Sequence, residues 1–262
     1  MRISINTSKW YDPIWAAFLF FTRLPLWKVY QPPKDSYQRV VEYWPLTGWL
    51  TGGMMATVVY LGQWIFPFPI ALILAFILRL VLTGALHEDG LADFADGLGG
   101  GFNNKQRILE IMKDSHIGTY GVLTLIMYYA LLFSTLYALG PHYAPWAILA
   151  ADPFSKMVAG QITQFLPYAR HEEDAKSRIV YRKFTTTAAL IYFAQGILPF
   201  ILLIYTTQIQ NWNIPLFTPC LIMFFLYLYL NKKIQGYTGD CCGAIFLLTE
   251  LSMYLSILWS LG

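Results

Sequence analysis

Long apolar runs are the feature that most restricts what this chain can fold into. They recur in windows of about 17 to 24 residues, the length with which an α-helix crosses the hydrocarbon core of a bilayer. With 56% hydrophobic and 13% charged residues, the chain has too little polar surface for a water-soluble globule. We therefore predict an all-α integral membrane protein, one polytopic domain over residues 1–262, with about seven transmembrane helices. The predicted spans are Leu46–Phe66, Ile70–Leu86, Gly118–Leu139, Trp146–Leu166, Thr187–Tyr205, Ile214–Leu230 and Cys242–Leu261.

The distribution of basic residues predicts how these helices are oriented. Most Lys and Arg residues fall in the segments 27–45, 87–117, 167–186 and 231–241. The alternate segments 67–69, 140–145 and 206–213 contain none. Because cytoplasmic loops carry the excess of Lys and Arg, we expect the first set to face the cytoplasm from the inner membrane and the C-terminus to face the other side.

Two apolar segments are atypical. Pro13–Leu26 is too short to span a membrane and contains Arg23, so we expect it to be an interfacial helix on the cytoplasmic face. Trp146–Leu166 is the least apolar predicted span, because it contains Asp152 and Lys156. These two residues are four positions apart and can pair across one helical turn.

Composition also limits the partners. The net charge of +3 is small and spread over loops, which favours contact with anionic membrane lipid or an anionic substrate and argues against nucleic acid. The 3 cysteines have neither a disulfide framework nor metal-ligand spacing. The many aromatic residues, including 9 Trp and 18 Tyr, are assigned to interfacial belts and core.

The stretch His87–Gly101 contains several carboxylates and no Lys or Arg. On a helix that turns about 100° per residue, Asp89, Asp93 and Asp96 lie within roughly 60° of one another and form an acidic stripe. Like charges on one face repel unless a cation balances them, and a hard divalent cation such as Mg²⁺ also binds phosphate oxygens. The stripe favours Mg²⁺-assisted phosphoryl chemistry; alternatively, these acids are only the water-exposed end of a transmembrane helix.

Two other polar segments can contribute to such a site. In the segment Glu110–Gly121, read as a loop, Lys113 can neutralise phosphate, Asp114 can complete a metal shell, and a turn at 118–121 can offer backbone N–H groups to an anion. A capped start of the third span explains the same segment. Asp240, just before the last span, can reach the same metal or act as a helix N-cap. His87 and His116 are possible proton carriers, or residues with only local hydrogen bonds.

Together these stretches resemble the cobalamin synthase family, the adenosylcobinamide-GDP ribazoletransferases. The matching pieces occur in the family's order over nearly the full length: 21–25, 44–46 with Gly48, 87–97, 110–121, 166–170, and 238–240 followed by Gly243, Ala244 and Glu250. The pieces at 87–97 and 110–121 are the specific ones. Glu88 stands where the family often has Leu, so we leave it out of the metal shell.

The resemblance implies a membrane enzyme with its active site at the cytoplasmic face. It would join adenosylcobinamide-GDP to α-ribazole or α-ribazole 5′-phosphate, release GMP and require Mg²⁺. The implied metal ligands are Asp89, Asp93, Asp96, Asp114 and Asp240. The implied phosphate contacts are Arg23, Lys113, Arg170 and Thr238, and the catalytic residues are Asp93, Asp96 and Lys113.

Other functions use similar residues. A CDP-alcohol phosphotransferase would have an Asp-Gly pair followed by Ala-Arg, whereas here Ala92 is followed by Asp93. A prenyltransferase would have a second Asp-rich helix, for which Glu172, Glu173 and Asp174 are poor candidates. A cation transporter would favour acids deep in several spans, whereas the acidic stripe lies at one predicted surface.

Overall fold

The computed structural model describes residues 9–170 and 180–261, and the regular structure there is helical. The α-helices are α1 (Asp12–Phe21), α2 (Trp44–Gly62), α3 (Phe68–Thr83), α4 (Leu86–Gly100), α5 (Lys105–Lys113), α6 (Thr119–Gly160), α7 (Ile162–Phe165), α8 (Thr186–Thr207), α9 (Asn213–Lys233) and α10 (Gly239–Leu261). Two 3₁₀ segments, Leu26–Lys28 and Lys34–Tyr43, connect α1 to α2. An isolated β-bridge joins Tyr168 to Tyr237.

The described helices confirm an all-α membrane protein but not the predicted count of seven spans. Four helical runs are long and apolar enough to cross a membrane: Thr119–Phe165, Thr186–Thr207, Asn213–Lys233 and Gly239–Leu261. A fifth is possible if α3 and α4, which meet at an angle of 88°, form one bent span. α2 covers the first predicted span, but its Gly, Thr and Trp residues lower its hydropathy, and α3 alone has only 16 residues.

The run Thr119–Phe165 contains two predicted spans. Its 47 residues would reach about 70 Å as one straight helix, roughly twice the thickness of the hydrocarbon core. Gly140 interrupts it with a left-handed φ of 73° and is followed by Pro141. The break falls between the predicted spans Gly118–Leu139 and Trp146–Leu166, so each occupies one half.

Two shorter segments bear on the predictions. α1 has 10 residues, too few to span a bilayer, as expected for Pro13–Leu26; its interfacial position stays a prediction. The segment Glu110–Gly121, expected to be a loop, is partly helical, because α5 continues to Lys113 and α6 begins at Thr119. The loop prediction was therefore wrong at both ends.

Buried ion pairs lie within and between the helices. Lys156 Nζ lies 2.6 Å from Asp152 Oδ1, which confirms their predicted pairing within one turn. Arg79 on α3 lies 2.8 Å from Glu250 Oε2 on α10, and its Nε is 3.4 Å from Glu88 Oε1 on α4. The acids were expected to lie at one surface, which was the reason for disfavouring a transporter, but Glu88, Asp152 and Glu250 are buried among the helices. Each of these buried acids has a basic partner. α10 is the central helix, since 78% of its apolar window is buried against 22–33% in the other candidates.

Candidate active site

A pocket lies where the starts of α4 and α10 meet, near the end of α1 and the start of α2. Its cavity volume is about 140 Å³, and its mouth is open to solvent. Charged side chains, aromatic rings and helix-terminal backbone line it. The lining residues are Phe20, Phe21, Val41, Trp44, Leu86, His87, Asp89, Tyr168, Arg170, Tyr181, Gly239, Asp240, Cys242 and Gly243.

Close packing of α4 against α10 brings two predicted metal ligands to this pocket. A Cβ at Gly90 would lie 3.0 Å from the backbone oxygen of Asp240, so a larger residue would push the helices apart. Asp89 is in the first turn of α4 and Asp240 in the first turn of α10. Both carboxylates therefore lie at the helix crossing and line the pocket.

Arg170 connects the pocket to a second, shallower groove. Its Nη2 lies 3.7 Å from Asp240 Oδ2 and donates to the backbone oxygen of Leu109 at 3.2 Å. The groove on this side is lined by Lys105, Gln106, Leu109, Glu110, Lys113, Ala169 and Arg170. The predicted phosphate-binding residues Lys113 and Arg170 thus share one groove, and Arg170 also lines the pocket.

Aromatic rings form the inner part of the pocket. The rings of Phe21 and Trp44 stack with centroids 5.2 Å apart and planes 12° apart. The His87 ring lies nearly parallel to both, and Phe246 packs against its edge at 4.8 Å. Nearer the loops, burial raises the pKa of the Tyr168 and Tyr181 phenols, so both stay protonated at neutral pH.

Asp96, predicted as a metal ligand and catalytic acid, also has a structural role. Its Oδ2 accepts the Gly118 N–H at 2.7 Å and its Oδ1 accepts the Gly121 N–H at 2.9 Å. These are backbone donors at the start of α6, where an anion is favoured. The 118–121 segment does present N–H groups to an anion, as expected, and that anion is the Asp96 carboxylate.

The other predicted residues lie outside the pocket lining. Asp114 is exposed, and its hydrogen bond from the His116 ring, at 2.7 Å, lowers the pKa of the Asp114 carboxyl. Asp93 is on α4 and 9% exposed.

The two remaining predicted phosphate contacts have backbone hydrogen bonds near the pocket. The backbone N–H of Arg23 donates to the backbone oxygen of Leu82 at 2.7 Å, beside the bend between α3 and α4. Thr238 is fully buried and its hydroxyl accepts the Cys241 N–H at 3.3 Å.

The N-cap explanation for Asp240 was wrong, because α10 begins at Gly239 and the Thr238 hydroxyl accepts the Cys241 N–H. The set of metal ligands stays a prediction. In the described parts of the chain, His, Cys, Asp and Glu do not form a group of three or more that could hold a metal ion by itself. A cation bound by Asp89 and Asp240 would therefore take further oxygen ligands from substrate phosphate and water, as Mg²⁺ commonly does.

The aromatic wall was not predicted, because the sequence assigns the aromatic residues to membrane belts and core. Phe21, Trp44 and Tyr168 each lie within a piece of sequence that resembles the family. That resemblance was the one sequence signal that could have assigned them to the site. Tyr181 carries no such signal and reaches the pocket only through the tertiary fold.

A helical membrane protein with a carboxylate- and arginine-lined pocket is suited to a charged ligand that also carries a flat ring. The chain belongs to the cobalamin-5-phosphate synthase family, whose profile matches residues 13–258. The predicted resemblance is confirmed.

Curated relatives named adenosylcobinamide-GDP ribazoletransferase match over most of their length. The protein from Leptospira interrogans is 37% identical over 248 residues, which cover 92% of this chain and 93% of the relative. Relatives from Vibrio parahaemolyticus and Shewanella woodyi are 35% and 34% identical, with 92% of this chain and 90% and 93% of the relatives covered. No solved structure matches.

This full-length match outweighs the phosphotransferase, prenyltransferase and transporter alternatives. Glu172, Glu173 and Asp174, on which the prenyltransferase hypothesis depended, lie outside the described residues.

Proposed function

We propose that this chain joins adenosylcobinamide-GDP to α-ribazole or α-ribazole 5′-phosphate and releases GMP. One observation carries the proposal: Asp89, Asp240 and Arg170 are far apart in sequence, are each implied by the family resemblance, and line one pocket. Full-length relatives bear the name of this transferase.

The charged residues have distinct tasks in this reaction. Arg170 borders both the pocket and the groove that contains Lys113, so the two cations can hold a diphosphate that extends from one to the other. Their positive charge counters the charge that develops on the departing GMP phosphate. Arg23 and Thr238 remain proposed phosphate contacts at the borders of the site.

We propose Mg²⁺ as the cofactor, with Asp89 and Asp240 as its first protein ligands. Two carboxylates plus phosphate oxygens suit the coordination of this ion. When bound, it neutralises the charge on the phosphate oxygens and orients them. Asp93, Asp96 and Asp114 remain candidate ligands, and Asp93 and Asp96 candidate catalytic acids.

The transfer itself is an in-line displacement at phosphorus. An oxygen of the ribazole substrate attacks the phosphorus linked to cobinamide, a new P–O bond forms, and the bond to the bridging diphosphate oxygen breaks. GMP leaves with that oxygen. Where the attacking group is a hydroxyl, its proton passes to a base, for which the pocket offers carboxylates.

We further propose that the pocket opens to the cytoplasm from the inner membrane. Seven spans result if α2, the bent pair of α3 and α4, both halves of α6, and α8 to α10 each cross once. In that arrangement the starts of α2 and α10 face the cytoplasm together with the basic loops.

The direct test is GMP release by purified protein in liposomes that contain adenosylcobinamide-GDP, α-ribazole 5′-phosphate and Mg²⁺. We expect GMP to form together with the joined product only when both substrates are present. Omitting either substrate is the control. GMP release without the ribazole substrate would identify a hydrolase and overturn the proposal, as would failure to form the joined product with both.

A further inference from the structure

Two buried ring nitrogen groups in the pocket have no hydrogen-bond partner among the described residues. Both nitrogens of His87 and the Nε1 of Trp44 are solvent-inaccessible and unpaired, and each residue is only 2% exposed. Buried polar groups in folded proteins nearly always have partners, so an unpaired pair that lines a pocket points to a ligand. The indole N–H can only donate, and an imidazole always carries at least one N–H.

The geometry around these groups suits a flat ring. The planes of Phe21, Trp44 and His87 are within 12–21° of one another, with centroids 5.2–6.3 Å apart. A planar ligand that lies parallel to them can stack, the arrangement that aromatic pairs prefer when offset.

The neighbouring lining limits the polarity of that ring. Phe20, Val41 and Leu86 in the lining offer no side-chain hydrogen bond, and the polar side chains of the lining are those of Asp89, Tyr168, Arg170, Tyr181, Asp240 and Cys242 besides His87 and Trp44. A guanine ring has several donors and acceptors on its edges and would leave unpaired those that face the apolar side chains. A benzimidazole joined to ribose has two fused rings and a single acceptor nitrogen, which can accept a hydrogen bond from one of the two donors.

We propose that the part of the pocket beside the rings of Phe21, Trp44 and His87, here called the aromatic slot, binds the benzimidazole base of α-ribazole. His87 is a specificity-determining residue in this proposal, because its buried ring turns on binding and donates a hydrogen bond to the free ring nitrogen. The inference rests on the proposed transferase function. It places the ribose side of this substrate toward Asp89, Asp240 and Arg170, and the guanine of the other substrate outside the slot.

The first experiment compares KM values for the two substrates. His87→Phe keeps a ring against Trp44 but removes the donor, so we expect KM for α-ribazole to rise roughly tenfold and KM for adenosylcobinamide-GDP to change less than about twofold. His87→Gln restores an N–H donor and should recover part of the loss. His142→Phe, the same change at an exposed position by the helix break, is the matched control.

The second experiment separates hydrogen bonding from a structural effect. An indole nucleoside, in which C–H replaces the acceptor nitrogen, is compared with α-ribazole by titration calorimetry without the second substrate. We expect wild type to prefer α-ribazole roughly tenfold and His87→Phe to bind both equally. Equal binding of the two nucleosides by wild type, or a preference that persists in His87→Phe, would overturn the inference.

These readouts distinguish the inference from the proposed function. Wild type that binds α-ribazole selectively but forms no joined product contradicts the function alone. Wild type that forms product while His87→Phe raises KM only for adenosylcobinamide-GDP contradicts the slot assignment alone.

Discussion

Residues 88 and 89 are adjacent acids with different surroundings. Glu88 is buried and lies 3.4 Å from the Arg79 guanidinium, whereas Asp89 is exposed and lines the pocket. We expect Asp89→Asn to lower kcat/KM at least about a hundredfold, because it removes an anionic ligand from the proposed Mg²⁺ that would hold the reacting phosphates. Glu88→Gln should retain most activity, since Arg79 keeps Glu250 as its partner. GMP release at saturating Mg²⁺ compares them, and an equally inactive Glu88→Gln would mean that the wrong acid has been assigned.

Asp93, between the pocket and the Asp96 cap on α4, is the remaining acid of the stripe. If the stripe acts as one site, Asp93→Asn should insert normally into the membrane and lose turnover to a similar extent, about a hundredfold. Near-normal turnover would restrict the site to Asp89 and Asp240.

The carboxylates also predict which metals support activity. Oxygen ligands favour hard cations, so EDTA should abolish GMP release, and Mg²⁺ or Mn²⁺ should restore it without added Zn²⁺. Dialysis into metal-free buffer without chelator is the control. Full turnover after rigorous metal removal would contradict a metal-assisted reaction.

At the scale of elements, Asp96 joins α4 to the start of α6. Asp96→Ala removes an acceptor from two backbone N–H groups and should lower stability by about 1–2 kcal/mol. Asp96→Asn keeps one acceptor oxygen and should lose less. Thermal unfolding in detergent measures both, and an unchanged midpoint for Asp96→Ala would show that water replaces the cap. Folded Asp96→Asn with a large loss of turnover would add a role at the metal.

The sequence predicts single elements better than their contacts. Helical periodicity places Asp89, Asp93 and Asp96 on one helix, and α4 confirms it, because that spacing is a local property. The pairing of Asp152 with Lys156 was predictable for the same reason. The aromatic slot beside Phe21, Trp44 and His87 was not, since these residues come from three elements that only the tertiary fold brings together. Hydropathy did separate the two halves of α6 at the segment 140–145, where Gly140 breaks the helix.

At the scale of the whole molecule, the position of the C-terminus depends on how many times the chain crosses the membrane. If seven spans cross and the basic loops are cytoplasmic, alkaline phosphatase fused after Leu261 should be active outside the cytoplasm, and a fluorescent protein at the same site should be dark. Fusions after Lys233, one span earlier, are the matched control and should give the opposite pattern. A cytoplasmic C-terminus would remove one crossing, and the half of α6 after Gly140 is the first candidate, because it contains Pro145, Pro153 and the buried Asp152–Lys156 pair. In that case the segments before and after this half would lie on one side of the membrane, and the orientation of the pocket would have to be reassigned.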